Sequence, residues 1–229
     1  MGEHHITRAA NLAYGPAYYP RARRTPGLPV QPVNFHDFGV IVTADADGVC
    51  AAQAIAGAVN ALINGALAAA GVATFDVARN VVAVSANAGD TTQTLTITGT
   101  DDYGETIVAT LALNGTTPVV GLKAFKTITR VAASAALAGN LTVGSGVLIG
   151  LRHRVDRGGL IIAKTDNATD AATFAPAIAT DPATAATGDV RGTVSFAAAP
   201  NSARAFTVFY KIGNARTKVG AYGVAQFAG

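Results

Sequence analysis

Tryptophan is absent from this chain of 229 residues, and cysteine and methionine occur once each. With Cys50 alone no intramolecular disulfide can form, so the thiol is either a small buried hydrophobe or half of an intermolecular bridge. Charged residues make up 14% of the chain against 50% hydrophobic ones. That surface is sparse for a lone monomer and points to large contact areas with itself or with a partner. Glu3, His4 and His5 could chelate a metal but lie near the start of the chain, and His36 and His153 are far apart with no cysteine pair to help, so no metal site is expected. Long apolar runs are missing too. The stretch 49–73 comes closest, but Gln53, Asn60, Asn64 and several glycines interrupt it, and no membrane span is expected. The first residues lack the apolar core of a secretory signal.

What is present is unevenly placed. Residues 1–34 read as an extended arm, because Pro16, Pro20, Pro26, Pro29 and Pro32 remove backbone donors and favour a polyproline-like path. Fully extended, the arm would reach on the order of 100 Å, at about 3.1 Å per residue. Arg8, Tyr14, Tyr18, Tyr19, Arg21, Arg23 and Arg24 lie along it. Arginine pairs with carboxylates and tyrosine supplies rigid contact area, so these residues are candidate anchors for a partner.

From Phe35 the pattern is β. "TTQTLTITGT" alternates Thr with Leu95 and Ile97, "DDYGE" is a polar turn, and "TIVATLALNG" alternates again before Asn114-Gly115. The stretch "NALINGALAAAGVATFDVARNVVAV" is the ambiguous one. Its alanines suit a helix, yet its glycines and Asn64-Gly65 read as turns between strands. Strands are favoured, with one short helix still possible within 49–59. The expected organisation is an arm over 1–34, a body over 35–165, and an Ala/Thr/Asp/Pro loop over 166–188. A C-terminal hairpin and tail over 189–229 complete the body. Strands at this spacing give an all-β fold, a β-sandwich or jelly-roll-like barrel with at most one short helix.

Catalytic patterns are near-misses. "GSGVLIG" has the wrong glycine spacing for a dinucleotide loop and sits in a β run. "DADG" (45–48) begins like a calcium loop but lacks its later ligands. Asp101, Asp102 and Glu105 could form a carboxylate pair for glycoside cleavage, but a turn between strands explains them. Arg152, His153 and Arg154, with Arg157, form a basic patch, too short and too poor in aromatics for nucleic acid, that could meet a partner's phosphate or carboxylates; Arg152 and Arg154 are the candidate contacts. The reading is a non-enzymatic structural or interaction protein without cofactor.

Four phrases carry a family likeness: "LINGALAAAGVATFDVARNVVAVSA", "TLTITGTDDYGETI", "KAFKTITRV" with "VGSGVLIGL", and "ATAATGDVRGTVSF". In this order they resemble the head cement (decoration) proteins of tailed bacteriophages. The resemblance implies a virion protein on the outer surface of the capsid, made in the host cytoplasm. It would bind the major capsid protein, clamp neighbouring capsomers and pair with itself, with a homodimer favoured and a trimer as the alternative. The long proline-rich arm departs from the family pattern. The alternatives are a receptor- or glycan-binding head fibre or tail adhesin, a wall hydrolase, and a shell-forming capsid subunit.

Overall fold

A computed structural model describes residues 33–178 and 183–229. The chain divides into two units, Met1–Pro32 and Val33–Gly229. All seven arm anchors expected from the sequence therefore lie outside the described residues.

The second unit is all β, apart from one short helix among the described residues. Its strands are β1 (Val33–Val40), β2 (Cys50–Gln53), β3 (Asn60–Ala61), β4 (Ala68–Ala69) and β5 (Val72–Ser85). There follow β6 (Thr94–Thr100), β7 (Thr106–Ala112), β8 (Val119–Val120), β9 (Phe125–Ala133) and β10 (Leu141–Gly150). The last are β11 (Leu160–Thr165), β12 (Ala168–Asp170), β13 (Thr173–Pro176), β14 (Gly192–Ser195) and β15 (Ala205–Lys211), before the helix α1 (Lys218–Tyr222). They form two antiparallel sheets. The larger runs β13-β14-β10-β5-β9-β6-β7, with four short strands branching from it, and the smaller runs β1-β15-β11-β12.

The period-2 pattern produces these sheets directly. In β6 every second residue is buried, which puts Leu95 and Ile97 inside and the threonines out. The same rule buries Phe206, Val208 and Tyr210 of β15. The long β5 serves two cores. Its first half pairs with β9 and its second with β10, with register shifts where they change over. One core holds Phe75, Phe125, Leu95, Ile97 and Leu141 inside the larger sheet. The other lies under the smaller sheet, where Val208, Phe206 and Tyr210 meet Ile149, Val194 and Phe196. Burying one such large apolar side chain contributes roughly 1.5–3 kcal/mol. Cys50 is a buried free thiol, its pKa pushed up to about 12 by burial.

Residues 49–59 hold β2 and a connection and no helix, in line with the favoured strand reading. Three expectations need correction. The helix lies instead at Lys218–Tyr222, in a segment that reads as edge strand or tail, with Thr217 Oγ1 accepting from Gly220 N to cap it. The 166–188 stretch is no plain loop, since β12 and β13 lie within it. The expected closing hairpin does not form: β14 belongs to the larger sheet and β15 to the smaller. Phe196, just past β14, packs against Phe206 with ring centres 4.6 Å apart, so the two segments meet between the sheets and not in one ladder.

Asn64-Gly65 is also not the hairpin turn it resembles. A Cβ on Gly65 would lie 2.1 Å from Asp47 O and 2.3 Å from the Gly48 carbonyl carbon, so the glycine lets two backbones touch. The tight turn is at Ala70-Gly71, between β4 and β5, where φ is 50° and 79°. Ala70 is the strained member, because an L side chain resists positive φ. Ala70→Asn is expected to stabilise the fold by about 0.5–1 kcal/mol. Gly65→Ala should cost at least about 2 kcal/mol. Thermal unfolding of the two variants checks both, and unchanged midpoints would contradict this geometry.

Candidate functional site

Residues from distant parts of the chain meet in a buried charged cluster. Asp101 opens the β6–β7 turn, where its Oδ1 accepts from Tyr103 N and Glu105 N. Its Oδ2 accepts from Arg191 Nη2, and the Asp101 and Arg191 side chains are 0% and 5% exposed. Gln226 Nε2 reaches the same oxygen at 3.3 Å. The Arg191 guanidinium also stands 5.0 Å from the Tyr103 ring centre, a cation–π arrangement. Asp189 accepts from Arg191 N at 2.8 Å and from Ala124 N at 3.1 Å. Lys123 is buried beside it, with Nζ 5.9 Å from the Phe227 ring centre.

The electrostatics follow from burial. Burial raises the Asp189 carboxyl above its usual range, opposed by Arg191. Burial lowers the Lys123 ammonium, with Asp189 opposing. Burial alone would also pull Arg191 down, but Asp189 and Asp101 together hold it above its ordinary value. Asp101 and Arg191 are thus paired with each other, Asp189 is held by two backbone N–H groups, and the buried Lys123 Nζ has no hydrogen-bond partner. Asp101 is locked in its pair and Asp102 joins Arg152 at 3.2 Å, so the carboxylate-pair reading of this turn is set aside in favour of a structural one.

Two arginines of the basic patch, Arg152 and Arg154, are each engaged. Arg152 is 56% exposed and pairs with Asp102, while Arg154 pairs with Asp156 at 2.8 Å. Arg152 lies at the surface and Arg154 is largely covered, and both carry less free charge than the sequence suggests. Arg152 lines a cleft of about 160 Å³ with His36, Phe38, Asp76, Lys126 and Asp102. His36 lies across from Phe38, ring centres 4.0 Å apart, and its Nδ1 is buried without a hydrogen bond. Burial and the Arg152 charge lower its pKa to about 4. Among the described residues no three His, Cys, Asp or Glu side chains cluster to hold a metal, and no helix is long and apolar enough to cross a membrane.

A second surface escaped the sequence reading. On the smaller sheet the inner face is buried and the outer face carries apolar side chains. Phe35 of β1 is 58% exposed and stacks on Phe209 of β15 at 5.0 Å. Phe209 pairs in register with Ile162 of β11, which extends the stripe across three strands. The row beyond it holds Asp37, Thr207 and Lys164, in that order. Lys164 Nζ also lies 5.9 Å from the Phe209 ring centre. The alternation in "VNFHDFGV" and "AFTVFYK" was the available signal, since both strands put aromatics on both faces. Compared with family models, with curated proteins and with solved structures, the chain matches none.

Two expectations follow. Arg191→Met and Asp101→Asn should each destabilise the fold, the first by about 3–5 kcal/mol, because it strands a buried carboxylate. The double variant should cost less than the sum, and urea unfolding of the four proteins measures the difference. The depressed His36 pKa fixes a pH dependence. The folded state disfavours the proton that the unfolded chain accepts, so this stability is full above about 6.5 and lost as pH falls through about 4. The loss should be on the order of 2 kcal/mol after solvent screening. His36→Phe should flatten the stability profile over that window, and an equal slope in both proteins would contradict the assignment.

Proposed function

We propose that this chain is a bacteriophage capsid cement, or decoration, protein that binds the outer surface of an assembled head and clamps neighbouring capsomers. The observation that carries the reading is where the four resembling phrases go in the fold. "TGTDDYG" supplies Asp101, "KAFKT" supplies Lys123 and Ala124, and "GDVRGT" supplies Asp189 and Arg191, all in the one buried cluster. "GVATFDVARNV" supplies Asp76 and Arg79, which pair at 3.0 Å where β5 changes partner. The likeness therefore falls on the polar framework that sets this architecture, not on loop composition.

The physical requirements of a cement protein support the same reading. Such a protein performs no reaction. By binding the assembled shell and not its separated subunits it stabilises the shell by linkage, about 2.7 kcal/mol per site at a hundredfold over the dissociation constant. Many copies add by avidity. A low-charge surface with an exposed apolar sheet face suits lasting contact, and Arg8, Tyr14, Tyr18, Tyr19, Arg21, Arg23, Arg24, Arg152 and Arg154 remain the proposed capsid contacts.

Electron cryomicroscopy of purified virions tests this. Density for the chain outside the shell, and heads that rupture at lower temperature without it, are the expected results. Density in the shell floor, or none on the head, would overturn the proposal.

A further inference from the structure

We infer that the cleft beside His36, between the two sheets, is a socket for one carboxylate, carried on an acidic side chain of a protein partner. The inference deepens the proposed function by giving Arg152 a ligand and adding Lys126 and His36 to the site. It rests on that function only in naming the capsid protein as the partner.

The cleft joins residues that no single sheet contains. β1 of the smaller sheet brings His36 and Phe38, while the larger sheet brings Asp76 and Val77 from β5, Lys126 from β9 and Gly150 from β10. Arg152, just past β10, and Asp102, in the β6–β7 turn, complete the lining. At about 160 Å³ the space is smaller than the roughly 300 Å³ at which sites for free small molecules begin. It suits the head group of one side chain. Its walls are already braced. Phe38 stacks on His36 and meets Phe196 edge to face, and Lys126 Nζ donates to Asp76 O at 2.8 Å.

The charges around the cleft do not cancel. Asp76 is occupied by Arg79 at 3.0 Å and by Val42 N at 2.8 Å. Asp102 is occupied by Arg152 Nε at 3.2 Å. Asp37 also borders the cleft, but the alternation of β1 turns its side chain to the outer face, where Oδ1 accepts from Gly39 N. Lys126 is left over, since among the described residues it forms no ion pair. The donors point the same way. Only Nε of Arg152 is bonded among the described residues, which leaves its Nη fork for a planar acceptor. His36 is 9% exposed and its buried Nδ1 has no hydrogen-bond partner, a state that native proteins seldom leave unanswered. A carboxylate matches the one surplus charge and accepts from several donors. A phosphate would bring more charge than Lys126 balances, beside the Asp76 and Asp102 oxygens.

Occupancy should also register on the imidazole. Arg152, Asp102, His153 and Asp37 act on the His36 ring, and Lys126 and Asp76 line the same cleft. Burial and Arg152 now keep the ring neutral, with its pKa near 4. A bound carboxylate favours the imidazolium, so binding should take up a proton as this pKa rises toward its ordinary value.

Nuclear magnetic resonance of the full chain, titrated with acetate at constant ionic strength, is the test. Saturable shifts are expected at His36, Lys126 and Arg152, in the millimolar range that so small a ligand allows. The His36 titration should move upward at saturation. Acetamide should bind at least tenfold more weakly, and inorganic phosphate no more tightly than acetate. Lys126→Met should weaken acetate at least tenfold and Lys126→Arg should retain it, with circular dichroism to confirm folding. Acetate shifts that never saturate, equal binding of acetamide, tighter binding of phosphate, or an unchanged affinity in Lys126→Met would each overturn the inference. Heads stripped of the chain and decorated again separate the two proposals. Lys126→Met should need at least tenfold more protein to fill them, and equal filling would remove the cleft from the capsid contact. A wild-type chain that binds acetate but no heads would sink the proposed function and leave the socket standing.

Discussion

The buried pair of Asp101 and Arg191 is the constraint on which the arrangement of loops depends. A charge out of water is tolerated only where its opposite is held in reach. Asp101 is fixed by the turn it caps, and Arg191 by the start of β14, so the pair sets the distance between the β6–β7 end and the β13–β14 end of the larger sheet. Gln226 and Tyr103 close around it, and Tyr103 in turn meets Tyr222 of α1 edge to face. A loop that shifted by one residue would leave a bare carboxylate or guanidinium inside the protein. The cluster thus contributes uniqueness more than gross stability, which comes from the two apolar cores.

A related device sits where β5 passes from one core to the other. Arg79 is buried, bonded to Val42 O at 3.1 Å and paired with Asp76, and neighbouring Asn80 donates to Gly121 O and accepts from Leu148 N. Burial lowers the Arg79 pKa while Asp76 opposes it. Asn80 thereby satisfies Leu148 N, which the register shift between Ser145 and Ile149 leaves outside the ladder. Side-chain bonds therefore hold the place where one strand passes between two cores.

Much of this fold was legible from alternation, because a strand with one buried face writes its period into the sequence. The β6–β7 hairpin, the turn "DDYGE" and the Ala70-Gly71 reversal could all be read locally. The failures share a cause. Asn64-Gly65 is a turn signal by local chemistry, but Gly65 serves a contact with Gly48, which no nearby residue announces. β14 and β15 looked like a hairpin because they are near in sequence, whereas Phe196 and Phe206 join two sheets. For the site, Arg152 and Arg154 were visible as a basic patch, but their acidic partners were not assigned in advance. Arg191 and Lys123 escaped notice because charged residues are ordinarily solvated. The apolar outer stripe escaped because its three members come from strands distant in sequence.

The two sheets end differently. At β7 the outer edge of the larger sheet is already occupied, with Val108 N donating to Phe227 O and Thr110 N to Ala185 O. Those acceptors belong to segments with no strand geometry, so they use up hydrogen bonds without offering a fresh ladder. On the smaller sheet, β12 is only three residues long and β1 is broken by the irregularity between Asp37 and Gly39. Strand-by-strand growth thus meets a poor template at each of these ends.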